Sequence, residues 1–169
     1  MTTAELLADA FGRIREVVHH VADGLSPDQL AFRPQPDANS IAWLIWHLTR
    51  VQDDHVADAA GTEQVWTAGG WSERFGLPFD EIETGWGQNA EAVGAVRIRS
   101  AELLTEYHDA VYQGTLEFVR SVTDSDLDRV VDDGWDPPVT LGVRLVSVVS
   151  DDLQHAGQAA YLRGLLTSR

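Results

Sequence analysis

The chain has 169 residues, 44% apolar and 23% charged, the balance of one globular domain able to bury a core without disulfides or a structural metal. It contains no cysteine, which excludes disulfides, thiolate metal sites and any mechanism that uses a thiol of its own. With no lysine, its 12 basic residues are all arginines; set against 27 acids they give a formal charge of -15, which repels nucleic-acid phosphates and anionic membranes, so neither is expected as a partner.

Met1 to Leu7 lacks the basic and apolar regions of a signal peptide, and no apolar run reaches bilayer-spanning length, so a cytoplasmic location is expected. From Thr3 to Asp23, the residues Leu7, Phe11, Ile14, Val18 and Val21 recur at spacings of three and four, which predicts a first helix that stops at Gly24. Ser26-Pro27 then reads as a cap and first turn of a short helical piece ending before Arg33-Pro34. Asn39 or Ser40 caps a second long helix, with Ile41, Leu44, Leu48, Val51 and His55 in its stripe and Trp43, His47 and Asp54 along one edge, ending near Gly61.

From Gly61 to about Val96 the sequence is rich in glycine and aromatics and has too little periodicity for a long helix; it reads as a long connection whose Trp66, Trp71, Phe75, Phe79 and Trp86 argue that it packs on the body. The third helix is expected from Ser100 to Val122. Thr123 to Leu127 then resembles Ser26 to Leu30 in its hydroxyl, acid and leucine, a hint of a duplicated hairpin. Asp136-Pro137-Pro138 and Thr140 open the fourth helix, with Leu141, Leu145, Val148, His155, Ala159, Leu162 and Leu166 as its buried stripe. Four long helices with one long middle connection suit an all-α four-helix bundle, up-down-down-up, because only the long connection can cross over between the second and third helices.

Asp151 and His155 are four apart, so their side chains leave one helix face a turn apart and can converge on a common atom. His47 adds a second imidazole from the second helix. Such a set suits zinc, nickel or iron(II) with a position left for water or substrate. Spacing alone leaves rival readings open: histidines on apolar faces are more often core residues, acid–histidine pairs often only stabilise a helix, and Asp152 could serve in place of Asp151. Gln158, a turn beyond His155, could bond a group behind the ligands or a metal-bound water, while Gly157 would admit a neighbouring helix. Asp54 is too far along the axis for easy ligation and suits an anchor, cap or surface position. Arg144 and Arg163 flank the His155 face and could bind a substrate carboxylate or simply neutralise nearby acids. His19, His20, His55 and His108 have no partner at ligand spacing.

Ser40-Ile41-Ala42-Trp43-Leu44-Ile45-Trp46-His47-Leu48, Asp151-Asp152-Leu153-Gln154-His155-Ala156-Gly157-Gln158 and Tyr161-Leu162-Arg163 together resemble the DinB-like superfamily, over essentially the whole chain. The likeness is greatest to its actinobacterial branch near mycothiol-dependent maleylpyruvate isomerase, and the lysine-free composition agrees with a GC-rich genome. The resemblance implies a single DinB-like four-helix bundle domain over 1–169, with one divalent ion, zinc first and nickel or Fe(II) as alternatives, held by His47, Asp151 and His155. Many members have histidine at the place of Asp151, and a carboxylate there is similar to the isomerase branch. It further implies mycothiol or a similar thiol as cosubstrate for S-transfer, conjugation or isomerisation on an unidentified electrophile. The alternatives are a metal-dependent hydrolase with Asp54 or Asp152 as base, and a non-catalytic metal-stabilised binding or stress protein. Exposed aromatics in the connection would permit a homodimer.

Overall fold

A computed structural model describes residues 1–167. Helix α1 (Thr3–Ala22) starts at a capping box in which the Thr2 hydroxyl accepts the Glu5 N–H and the Glu5 carboxylate accepts the Thr2 N–H. Ser26 and Gln29 form the same reciprocal pair at α2 (Pro27–Leu30). Ser40, rather than Asn39, caps α3 (Ile41–Ala60) by accepting the Trp43 N–H, and Gly61 ends it in the left-handed conformation at φ +69°. Every residue from 41 to 50 is buried, so the first half of this helix is enclosed on all sides.

The connection that follows folds into three short helices, α4 (Val65–Ala68), α5 (Trp71–Phe75) and α6 (Ala90–Ala95), before α7 (Ala101–Ser121). The Asp126 carboxylate then accepts the Thr123 N–H and hydroxyl at the start of a 3-10 turn over Asp124–Asp128, so only the acceptor half of the Ser26–Gln29 pair is repeated there. A two-stranded antiparallel hairpin, β1 (Val130–Asp132) with β2 (Val139–Thr140), leads into α8 (Leu141–Thr167). Strands of two and three residues are too short to show an alternating pattern, so this hairpin is a feature that periodicity does not predict.

The fold is thus all-α apart from this hairpin. Helix α1 packs against α7 and α8, and α3 packs against the same two, around one core that includes Phe11, Ile14, Leu44, Leu48, Leu104 and Leu145, each 0–1% exposed. Full burial of such a side chain contributes about 1.5–3 kcal/mol. Asp109 on α7 accepts from Arg15 Nε at 2.6 Å and His19 Nε2 at 2.8 Å on α1. Arg163 donates to the Val21 and Asp23 carbonyls at 2.8 and 2.7 Å, closing the C-terminal end of α1.

The connection is fastened to α3 by a buried ion pair. Asp53 accepts the Val65 and Trp66 N–H groups and the Tyr107 hydroxyl, all at 2.8 Å. Arg50 donates to the Glu83 carbonyl and to Gln64 Oε1, and its guanidinium lies 4.9 Å over the Trp66 ring. Trp66, Trp71 and Phe75 are buried around Tyr107, as their aromatic content led one to expect; within the same segment, by contrast, Trp86 is 86% exposed.

Candidate metal centre

His47 lies in the second turn of α3 and faces the middle of α8, where Asp151 and His155 stand one turn apart. The packing of these two helices sets one donor atom from each of the three residues within 4.8 Å of the others. His155 Nε2 is 3.6 Å from Asp151 Oδ1, and the two imidazole rings are 4.9 Å apart at 72°. Trp43, one turn before His47, stacks on its ring at 4.5 Å and meets the His155 ring edge-on at 6.1 Å. That indole is itself fixed, because its Nε1 donates to Gln88 Oε1 at 2.9 Å.

Both histidines use Nδ1 away from the trio. His47 Nδ1 donates to the Thr84 carbonyl, and His155 Nδ1 donates to Gln158 Oε1 at 3.2 Å. A proton held on Nδ1 leaves Nε2 with its lone pair, the tautomer a ligating imidazole needs. Burial pushes the His47 imidazole down, against the opposing effect of the Thr84 carbonyl, and so favours its neutral form. Asp151 Oδ2 is buried with no hydrogen-bond partner. The donor set, the tautomers and this orphaned oxygen all fit a divalent cation.

The backbone over His47 admits only glycine. Gly85 has φ +93°, and a Cβ there would stand 2.7 Å from His47 Nδ1 and 3.1 Å from the Trp46 ring. Thr84, Gly85 and Gln88 are contributions that sequence reasoning missed, since the region lacks any period that would relate it to α3. Gly85 within Thr84-Gly85-Trp86-Gly87 was the one available signal of close backbone approach.

Of the two acids that spacing could not separate, Asp151 joins the histidines and Asp152 does not. Asp152 points into the core, fully buried, with both oxygens unpartnered; burial, and then the neighbouring Asp151 carboxylate, hold its carboxyl well above the usual range. Gln158 Oε1 accepts from His155 Nδ1, on the side of the ring away from the trio. Asp54 lies outside the trio: it accepts from Gln64 Nε2 at 2.7 Å and sits 3.7 Å from His55. Arg144 donates to Asp132 at 2.7 Å and to His55 Nδ1 at 3.2 Å, so its charge is already matched inside a recess of about 410 Å³ that also holds Asp54, Asp58 and Gln64. Arg163, engaged at the end of α1, is committed to structure and is not placed as a substrate-carboxylate partner. His19 serves Asp109, and His108 is fully buried in α7 with neither ring nitrogen bonded.

The whole chain superposes on 99% of the crystal structure of a conserved protein from Enterococcus faecalis with a TM-score of 0.92 and 29% identity. A search of curated proteins gives no match. No helix among the described residues is long and apolar enough to cross a membrane. The DinB superfamily model matches residues 10–159, a span that includes His47, Asp151 and His155, and the chain therefore belongs to the DinB superfamily.

Proposed function

We propose that this protein is a metal-dependent enzyme that binds one divalent ion, zinc first, through His47, Asp151 and His155, and uses it to activate a low-molecular-weight thiol of the mycothiol type. The observation that carries the reading is the convergence of three donors whose two histidines both spend Nδ1 elsewhere. Three protein ligands leave a coordination position open, and an ion bound there would supply the Lewis acidity that makes thiolate available at neutral pH. A borrowed thiol suits a chain without cysteine.

The chain's own residues then have distinct tasks. The Thr84 carbonyl and Gln158 hold the two imidazoles in the ligating tautomer, Trp43 stacks against His47 and limits water on that side, and Gly85 lets the backbone close over the ring. S-transfer or isomerisation on an unidentified electrophile, in the cytoplasm, completes the reading. It includes the up-down-down-up helix order. In support, His47 meets His155 while His55 meets Arg144, as expected if α3 and α8 are antiparallel, and Arg163 meets the end of α1, as expected if α1 and α8 run together.

Metal analysis of protein purified without a polyhistidine tag tests the first step: about one equivalent is expected in the wild type. His47→Ala and His155→Ala should both lose it while keeping their helical circular dichroism; retention in either sinks the ligand assignment. Mycothiol, but not its alcohol analogue, should raise the melting temperature of the loaded protein. Turnover of a substrate without any thiol would instead mark a hydrolase.

A further inference from the structure

Four of the six tryptophans are buried, Trp135 is 68% exposed on the hairpin before α8, and Trp86 is 86% exposed on the segment that covers His47. An isolated apolar side chain in water is ordinary, but an indole held out by a built turn at the edge of a ligand site is not.

The turn is made to present it. The Gly85 carbonyl accepts the Gln88 N–H at 3.3 Å, closing a β-turn with Trp86 and Gly87 at its corners. Gly87 has φ +71°, the left-handed value that the third residue of a type II turn needs, although a Cβ there would meet nothing within 4 Å. Its glycine is thus required by the backbone and not by space. Both ends of the turn are fastened to the site: the Thr84 carbonyl accepts from His47 Nδ1, and Gln88 Oε1 accepts from the Trp43 indole that stacks on His47. The Cα of Trp86 is about 3.8 Å from that of Gly85, the residue whose Cβ would stand 2.7 Å from His47 Nδ1. Yet the Trp86 indole makes no ring contact and no hydrogen bond among the described residues. A large flat side chain held rigidly in water loses little entropy on contact, which is how recognition surfaces present aromatic area.

Charge limits what it would contact. Arg144 is spent on Asp132 and His55, and Arg163 on the end of α1, so neither arginine of α8 is free for a substrate carboxylate. In a chain of net charge -15 an anionic group meets repulsion without a clamp, and a cationic group would be opposed by a divalent ion at the trio. The face of an indole favours a flat, uncharged π-system. We infer that Trp86 is a specificity-determining residue of the metal centre, its indole stacking on an uncharged aromatic or conjugated group of the molecule taken up at the metal. This rests on the metal reading proposed above and on no particular chemistry of thiol; where a thiol is the nucleophile, the stacked molecule is the electrophile, which is then flat, unsaturated and uncharged.

Binding of two thiol-free probes to the cobalt-substituted full chain, followed by visible absorption, tests this. Imidazole and phenylimidazole offer the metal the same kind of nitrogen and differ by one uncharged ring. The wild type should bind phenylimidazole about tenfold more tightly, the size expected when one aromatic contact is gained. Trp86→Ala should lose that preference while its affinities for imidazole and cobalt and its melting temperature stay unchanged, because an exposed indole contributes little to the fold. Trp86→Phe should keep most of the preference, and Trp135→Ala, which removes the other exposed indole, should keep all of it. A preference absent from the wild type, surviving in Trp86→Ala or falling equally in Trp135→Ala would overturn the inference. A chain that binds no cobalt would overturn the metal reading and this inference with it, whereas a Trp86-dependent preference in a protein indifferent to thiols would remove only the thiol chemistry and support the role of Trp86.

Discussion

Two carboxylates on neighbouring helices, one buried and one half-buried, show opposite uses of polar chemistry. Asp53 on α3 accepts three hydrogen bonds and sits beside the Arg50 guanidinium, so burial pushes its carboxyl up while Tyr107, Val65, Trp66 and Arg50 pull it back. Asp151 on α8 has an oxygen as well hidden from water and no donor for it. Both Asp53 oxygens have donors, although Arg50 Nη2 has no hydrogen-bond partner, and the cluster holds the connection to the bundle. The second is different: Thr84 and Gln158 bind the far side of each imidazole, and on the near side His155 Nε2 has Asp151 Oδ1 at 3.6 Å, beyond hydrogen-bond reach. Saturation is the mark of a structural polar group, and an orphaned acceptor facing two histidines is the mark of a place for a cation.

The largest effect that tests this contrast is Asp53→Ala, which strands a buried Arg50 and should cost about 3–5 kcal/mol in urea unfolding, with ligand geometry in the surviving native fraction unchanged. A loss under 1 kcal/mol would refute the saturated-cluster account. Acid should act next through His108, whose imidazole burial pushes down to about 3. Its folded value lies below the unfolded one, so its contribution is complete above pH 6.5 and is lost as pH falls toward 3, about 2 kcal/mol of it by pH 5. His108→Gln should flatten that slope, whatever it does to stability at neutral pH; a slope left intact would assign the acid sensitivity elsewhere.

Smaller still, Gln158→Ala should weaken zinc binding by about tenfold, near 1.4 kcal/mol in a competition titration, by freeing the His155 tautomer. An unchanged affinity would make Gln158 a surface residue only. The smallest effect is expected of His155→Ala in metal-free protein, where at most about 1 kcal/mol of stability should be lost because the open cluster contributes little to the apo fold. A loss matching that of Asp53→Ala would erase the distinction between the two clusters.

The elements were legible because they follow local rules. The capping residues Ser26 and Ser40, the stop at Gly61 and the stripes of α1 and α8 all lie within a few residues of what they control. The pairing of Asp151 with His155 was legible for the same reason, being one helical turn. His47 entered only through its place on the edge of α3 and through family resemblance. Arg50 and Asp53 escaped notice although they are the charged residues of an otherwise enclosed helix stretch, a pattern that signals a buried ion pair.

By itself, then, the sequence determined the helices, their inner faces and the candidate ligands, since backbone periodicity and capping act over three or four residues. Only the tertiary structure decided that Asp151 and not Asp152 faces His47, that Thr84 and Gly85 cover the site, and that Arg163 closes α1. Those outcomes depend on how helices remote in sequence rotate against one another, and the rotation is set by packing of the whole core, which no local pattern records.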